Sequence, residues 1–263
     1  MAIAFERVGE GPPLVLLHPL GADRQVWAPV VEQLRDRREL ILIDLPGFGQ
    51  SQPLPDGKPT ARALAQAVVG FLGSIGIDSP HVAGNSLGGW VALEMGLNGA
   101  TSSTTAISPA GLWPGPLVPK PSAAHKLARA LLPLVGPFAA SRPGRQLLLG
   151  SAVAHPGRVP SAAAAHLVRV YAQASGFVAV NNAMRAGRFE SLERIRGPVT
   201  LVWPARDRLV NRPSWLPDNV RNVVIADAGH IPMWDQPEKV AELLLAASTV
   251  DTRVGARPGS IRA

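Results

Sequence analysis

Two short runs without a polar residue, Leu14-Val15-Leu16-Leu17 and Leu40-Ile41-Leu42-Ile43, constrain this chain most. A strand with one wet face alternates apolar and polar residues, whereas a strand apolar at every position must be covered on both faces. Such strands belong to a parallel sheet between two layers of helix. Between the runs, Trp27, Val30, Val31 and Leu34 are spaced for one face of a short helix. Thr60 can cap a helix reaching about Leu72, with Leu64, Val68, Phe71 and Leu72 on one stripe. Pro80-His81-Val82-Ala83, Thr104-Thr105-Ala106-Ile107, Val199-Thr200-Leu201-Val202-Trp203 and Val223-Val224-Ile225 read as further strands, and Leu87 to Leu97 and Pro237 to Ala247 as helices. The expected fold class is α/β, a mostly parallel central sheet with helices on both faces.

The middle of the chain departs from this alternation. From Leu112 to Phe189 there is no buried strand pattern, only Ala-, Leu- and Arg-rich stretches cut by Pro133, Pro137, Pro143, Pro156 and Pro160. The organisation expected is a core of residues 1–111 and 190–250, a helical lid at 112–189 over the carboxyl edge of the sheet, and a flexible tail at 251–263. With 263 residues the chain can bury one full-sized core.

The net charge of +7 raises nucleic acid as a partner, but the bases are scattered singly, without a basic run or interleaved aromatics, so none is expected. The absence of cysteine excludes disulfides, a cysteine nucleophile and a thiolate metal site. No stretch approaches 18 continuous apolar residues, so no membrane span and no membrane partner are expected. Without a charged leader and apolar stretch at the N-terminus, a cytoplasmic protein is expected, as a monomer or homodimer.

Gly84-Asn85-Ser86-Leu87-Gly88-Gly89 lies between a predicted strand and a predicted helix. A serine projecting from so tight a turn needs small neighbours two residues away on either side, which Gly84 and Gly88 supply. An alcohol also needs a base. Of the six histidines, His230 in Ala228-Gly229-His230-Ile231-Pro232 follows a predicted strand and suits that role. Asp207, after Val202-Trp203-Pro204-Ala205-Arg206, can orient it. His18 is expected to order its own loop, His81 to be structural, and His125, His155 and His166 to face water. Asp227 reads as loop structure, Arg206 and Arg208 as partners of surface acids, and Asp44 as ordering the turn at Gly47 and Gly49. No spacing of carboxylates and histidines suggests a metal, and no glycine-rich phosphate cradle is present.

These landmarks resemble the α/β-hydrolase superfamily in its serine-nucleophile branch. His18-Pro19-Leu20-Gly21 is similar to its early loop, Asp44-Leu45-Pro46-Gly47-Phe48-Gly49-Gln50-Ser51 to its next turn, and Gly84 to Gly88 to its nucleophile elbow. The resemblance implies a Ser86, His230 and Asp207 triad, with backbone amides of Leu20 and Leu87 as the oxyanion hole and no cofactor. Pro19 departs from the family's usual glycine and has no amide hydrogen to donate. The connection from Asp207 to His230 is short, with Pro213 and Pro217 leaving room for only a stunted helix. The implied reaction is hydrolysis of a small to medium, fairly apolar carboxylic ester through an acyl-enzyme. Carbon–carbon bond hydrolysis of vinylogous 1,5-diketones, lactone hydrolysis, or a ligand-binding relative without activity are the alternatives. Trp113, Phe138, Phe177 and Trp234 are the residues that hint at pocket character.

Overall fold

The apolar runs become neighbouring central strands. The computed structural model describes residues 1–55, 57–118 and 123–249; the expected flexible tail at 251–263 lies outside the described residues. These residues build a seven-stranded sheet from β1 (Phe5–Val8), β2 (Pro13–Leu17), β3 (Glu39–Ile43), β4 (His81–Asn85), β5 (Ser103–Ile107), β6 (Val199–Pro204) and β7 (Val220–Ile225), in the spatial order β1-β3-β2-β4-β5-β6-β7. Only β1 runs antiparallel. It was not expected from the sequence because Phe5-Glu6-Arg7-Val8 sits at the sheet's edge and is largely exposed, so it lacks the double-sided apolar signature.

The register Leu14↔Leu40 to Leu17↔Ile43 aligns the two runs, and period-two alternation divides them between two cores. Val15, Leu17, Ile41 and Ile43 pack with α2 (Ala61–Ser74) and α3 (Leu87–Leu97). Leu14, Leu16, Leu40 and Leu42 pack with α1 (Ala28–Leu34) and α9 (Pro237–Ala247). Thr60 caps α2 as expected, its side chain accepting the Ala63 amide hydrogen.

Between β5 and β6 lie α4 (Ala123–Ala130), α5 (Val135–Ala140), α6 (Arg142–Leu149), α7 (Ser161–Gln173) and α8 (Phe177–Ala186). The prolines fall in opening turns or caps of these helices and of short 3-10 turns, where a missing amide hydrogen costs least. From Ala205 to Asn219, between β6 and β7, no helix forms. That corrects the expectation of a stunted one: Pro213 and Pro217 leave too few consecutive amide donors for a turn to close.

Candidate active site

The chain steps from β2 outward to β3 and then back across to β4, so the loops after β2 and β4 part at a topological switch point. His18 follows β2, Asp44 follows β3, Ser86 follows β4, Ser108 follows β5, Asp207 follows β6 and His230 follows β7. Parallel pairing brings all six to the carboxyl edge.

Ser86 adopts φ 55 and ψ −113 between the last residue of β4 and the first of α3. A non-glycine residue at positive φ stores strain of roughly 1–3 kcal/mol, which surrounding structure must hold. Its amide donates to Ile107 O at 2.9 Å, and its carbonyl accepts from Trp90 N and Ala110 N, each at 3.0 Å. A Cβ added at Gly84 would collide with Gly88 O, and one at Gly88 with Leu17 O, so backbone passes where side chains would stand. The buried Asn85 donates its side-chain amide to Ile107 O at 3.1 Å and to His230 O at 3.0 Å, tying the turn to the His230 loop.

His230 Nδ1 and Asp207 Oδ2 are 2.8 Å apart, with both side chains almost wholly buried. The other Asp207 oxygen accepts from Leu209 N at 2.7 Å and Val210 N at 3.1 Å. Burial alone would push the Asp207 carboxyl up. The hydrogen bond and charge of His230, with help from Ser108 and the Leu209 amide, more than offset that and hold it below the usual carboxylate range. Ser108 is fully buried at φ 43; its hydroxyl makes no hydrogen bond of ordinary length, yet stands close enough to favour the charged form of Asp207. Among the described residues no hydrogen bond joins Ser86 to His230, a link that commonly tightens only when substrate arrives.

The early loop is fixed from within. Leu45 N donates to His18 Nε2 at 2.9 Å, so the ring hydrogen sits on Nδ1 and is donated to Pro19 O at 2.8 Å. Burial pushes this imidazole below its ordinary pKa, as a neutral ring with both nitrogens engaged requires. Asp44, also fully buried, accepts from Arg24 N and Gln50 N and pairs with the Arg24 guanidinium, while its carboxylate occupies the space a Cβ at Gly49 would need. His81 is structural, bonded to Ser103 Oγ at 2.8 Å, and Arg206 bridges to Asp227 at 2.8 Å.

The helical insertion touches these same loops. Gly176 N donates to Gly47 O at 3.1 Å, and Ile231 N, next to His230, donates to Ala152 O at 2.9 Å. A Cβ at Gly21, beside Leu20, would lie 2.7 Å from the Tyr171 ring and 3.2 Å from that of Phe177. The three insertion histidines do not simply face water as expected. His125 is buried and stacked on Phe177, with ring centroids 4.4 Å apart; His155 bonds to Asp227 and His166 to Asp23, each at 2.8 Å. Their partners are distant in sequence, so local pattern held no sign of them. Trp113 packs edge-on against Trp90 and Trp234 joins the core, whereas Phe138 is exposed. Asp235 carries no signal in the sequence either: its buried carboxylate accepts from Gly229 N, Ala154 N and His155 N at 2.8–2.9 Å, pinning the His230 loop to the insertion. Among the described residues no group of three or more His, Asp or Glu is placed to hold a metal ion.

The sequence profile described as Alpha/beta hydrolase family matches residues 14–243. A pimeloyl-[acyl-carrier protein] methyl ester esterase of Aeromonas hydrophila is 37% identical over 128 residues, 46% of this chain and 48% of the relative, so the chain spans about half the length of the curated relatives it matches first. An epoxide hydrolase of Mycobacterium tuberculosis is 28% identical over 70% of the chain and 93% of its own length. Among solved structures, a bacterial membrane phospholipase A superposes with a TM-score of 0.72 at 29% identity, covering 93% of this chain and 81% of that one. Strand order, the strand–turn–helix at Ser86 and a profile match spanning most of the sequence agree: the chain belongs to the alpha/beta hydrolase family.

Proposed function

We infer that this chain is a serine esterase, with Ser86 as nucleophile, His230 as general base, Asp207 as its orienting acid and the Leu20 and Leu87 amides as the oxyanion hole. The observation that carries the reading is Ser86 held at positive φ on the same sheet edge as the 2.8 Å Asp207–His230 pair. In this mechanism His230 Nε2 takes the Ser86 hydroxyl proton as Oγ bonds to the ester carbonyl carbon. The carbonyl electrons move to oxygen, and the two amides donate hydrogen bonds to the oxyanion that forms. Collapse expels the alcohol, which takes the proton from His230 and leaves an acyl-Ser86 ester. Water, deprotonated by His230, then attacks that ester; the acid departs and the proton returns to Ser86. Asp207, held ionised, fixes the ring with its hydrogen on Nδ1 and stabilises the imidazolium that forms.

Ester chemistry is favoured because the Aeromonas relative is named a methyl ester esterase and the similar solved structure a phospholipase. Residues 112–189 act as a lid in this reading, since Gly176, Tyr171, Phe177 and Ala152 each meet a carboxyl-edge loop. The Tyr171 and Phe177 rings beside Gly21 put an apolar wall next to the Leu20 loop, which suits a fairly apolar substrate of small to medium size. The test is a side-by-side rate screen of aryl esters, lactones and vinylogous 1,5-diketones. A burst of one aryl alcohol per chain, lost in Ser86→Ala with at least a ~10⁴-fold drop in kcat, is expected. Preference for the diketones overturns the ester reading, and no turnover of any substrate by folded protein overturns the enzymatic one.

A further inference from the structure

Charge is distributed unevenly along this chain. Between Glu94 and Glu190 there is no Asp or Glu at all, while nine Lys and Arg fall between Leu112 and Phe189. All 19 acidic residues lie elsewhere, so the net charge of +7 resides in the insertion and the rest of the chain is slightly acidic.

The same insertion exposes large apolar side chains in a row. Helical turns run on from α4 through the 3-10 turn Leu132–Leu134 into α5. One side of this rod buries His125, Val135 and Ala139, with α4 and α5 both packed on α7. The opposite side presents Leu127, Leu131, Leu134 and Phe138 at 59%, 44%, 48% and 40% exposure, spaced as successive turns of one helical face. Lys126 and Arg142 are exposed near its two ends, whereas Arg129, four residues from the buried His125, is exposed on the other side of α4. From Ala123 to Ala140 there is no Ser, Thr, Asn, Gln, Asp or Glu.

Three occupants can be weighed against that chemistry. In a symmetric pair of copies the same patch meets itself, which sets cations against cations with no carboxylate in the segment itself. Protein interfaces carry about one hydrogen bond per 100–200 Å², and from Ala123 to Ala140 there is no neutral polar side chain to make one. A lipid surface asks for Leu and Phe at the acyl boundary and Lys and Arg at the level of the phosphates. We propose that the outer face of residues 123–142 is an interfacial docking surface for anionic phospholipid, with Leu127, Leu131, Leu134 and Phe138 seated in the acyl boundary and Lys126 and Arg142 on the headgroup phosphates. The expectation of no membrane partner rested on spanning segments alone, and a face that lies on a bilayer needs none; among the described residues no helix is long and apolar enough to cross one. The proposal stands apart from the chemistry at Ser86.

Flotation of the full chain with vesicles of equimolar phosphatidylglycerol and phosphatidylcholine, against phosphatidylcholine alone, tests it. Ser86→Ala protein serves as the control for independence from turnover. At least ~10-fold tighter binding to the anionic vesicles is expected, weakening as salt rises to ~0.15 M. Lys126→Glu with Arg142→Glu should lose that preference, and Leu131→Ser with Phe138→Ser should lose binding altogether. Neither pair should change the melting temperature or aryl ester turnover in solution. Equal binding to both vesicles, no binding, or undiminished binding by the charge-reversed protein overturns the proposal. So does a concentration-dependent dimer abolished by Leu131→Ser with Phe138→Ser in protein that ignores vesicles, which assigns the face to a second copy. Capture of polyglutamate without vesicle binding overturns it equally, in favour of an acidic polypeptide.

Discussion

Ser86 holds a backbone conformation that costs stability, as the proposed nucleophilic role requires. At φ 55 a glycine sits without strain. Ser86→Gly is therefore expected to abolish turnover while stabilising the fold by about 1 kcal/mol, read as a melting temperature higher by ~2–4 °C. Two residues of the early loop separate in the same way. Pro19 contributes only a carbonyl, held by His18 and by the Ala22 amide, so Pro19→Gly should leave kcat within about threefold. Leu20→Pro removes the inferred oxyanion donor and should lower kcat by ~10²–10³, with circular dichroism checking that the fold persists. Asp207→Asn keeps the shape but inverts the hydrogen-bond logic at His230 Nδ1; a kcat loss of up to ~10⁴ with little change in KM is expected. Ser108 favours the charged form of Asp207 less than His230 does, and nothing in sequence marks it because Ser108-Pro109 resembles any strand-ending turn.

At the scale of elements, the elbow depends on close backbone passage. Gly88→Ala drives a Cβ into Leu17 O at the end of β2, where backbone cannot yield cheaply. A loss of several kcal/mol, or no soluble protein, is expected from it, whereas Gly73→Ala, in open space on α2, should be neutral or mildly stabilising. Asp235 joins two elements. With its carboxylate buried and accepting three backbone amides, Asp235→Asn should destabilise by ~2–3 kcal/mol and lower kcat by loosening the His230 loop. Urea unfolding and single-turnover rates separate the two effects. The central strands, α3 and α9 were legible in sequence because each is defined by its own apolar pattern and the residues that end it. The edge strand β1 was not, since exposure erased its pattern. The partners of His125, His155 and His166 were not either, since those contacts exist only once the insertion meets loops far away in the chain.

Across the whole molecule, buried neutral histidines couple stability to pH. The folded-state pKa values of His18 and His81 are both lowered, chiefly by burial. Below about pH 6.5 the unfolded chain takes up protons at these rings that the folded chain refuses. Stability is thus fully present above that pH and declines as pH falls towards the depressed folded values. Urea midpoints measured from pH 7.5 downward should show the decline, and His18→Gln should flatten it while lowering stability at neutral pH through its lost fit between Leu45 and Pro19. The fold unites these effects by gathering six loop ends on one edge, and the central claim is that this edge makes Ser86 a nucleophile. The most direct measurement is intact-mass and peptide mapping after treatment with a fluorophosphonate. The account predicts one phosphonyl group per chain on Ser86, absent from Ser86→Ala and much slower to form in His230→Ala. Folded protein that stays unlabelled, or a label on another residue, would contradict it.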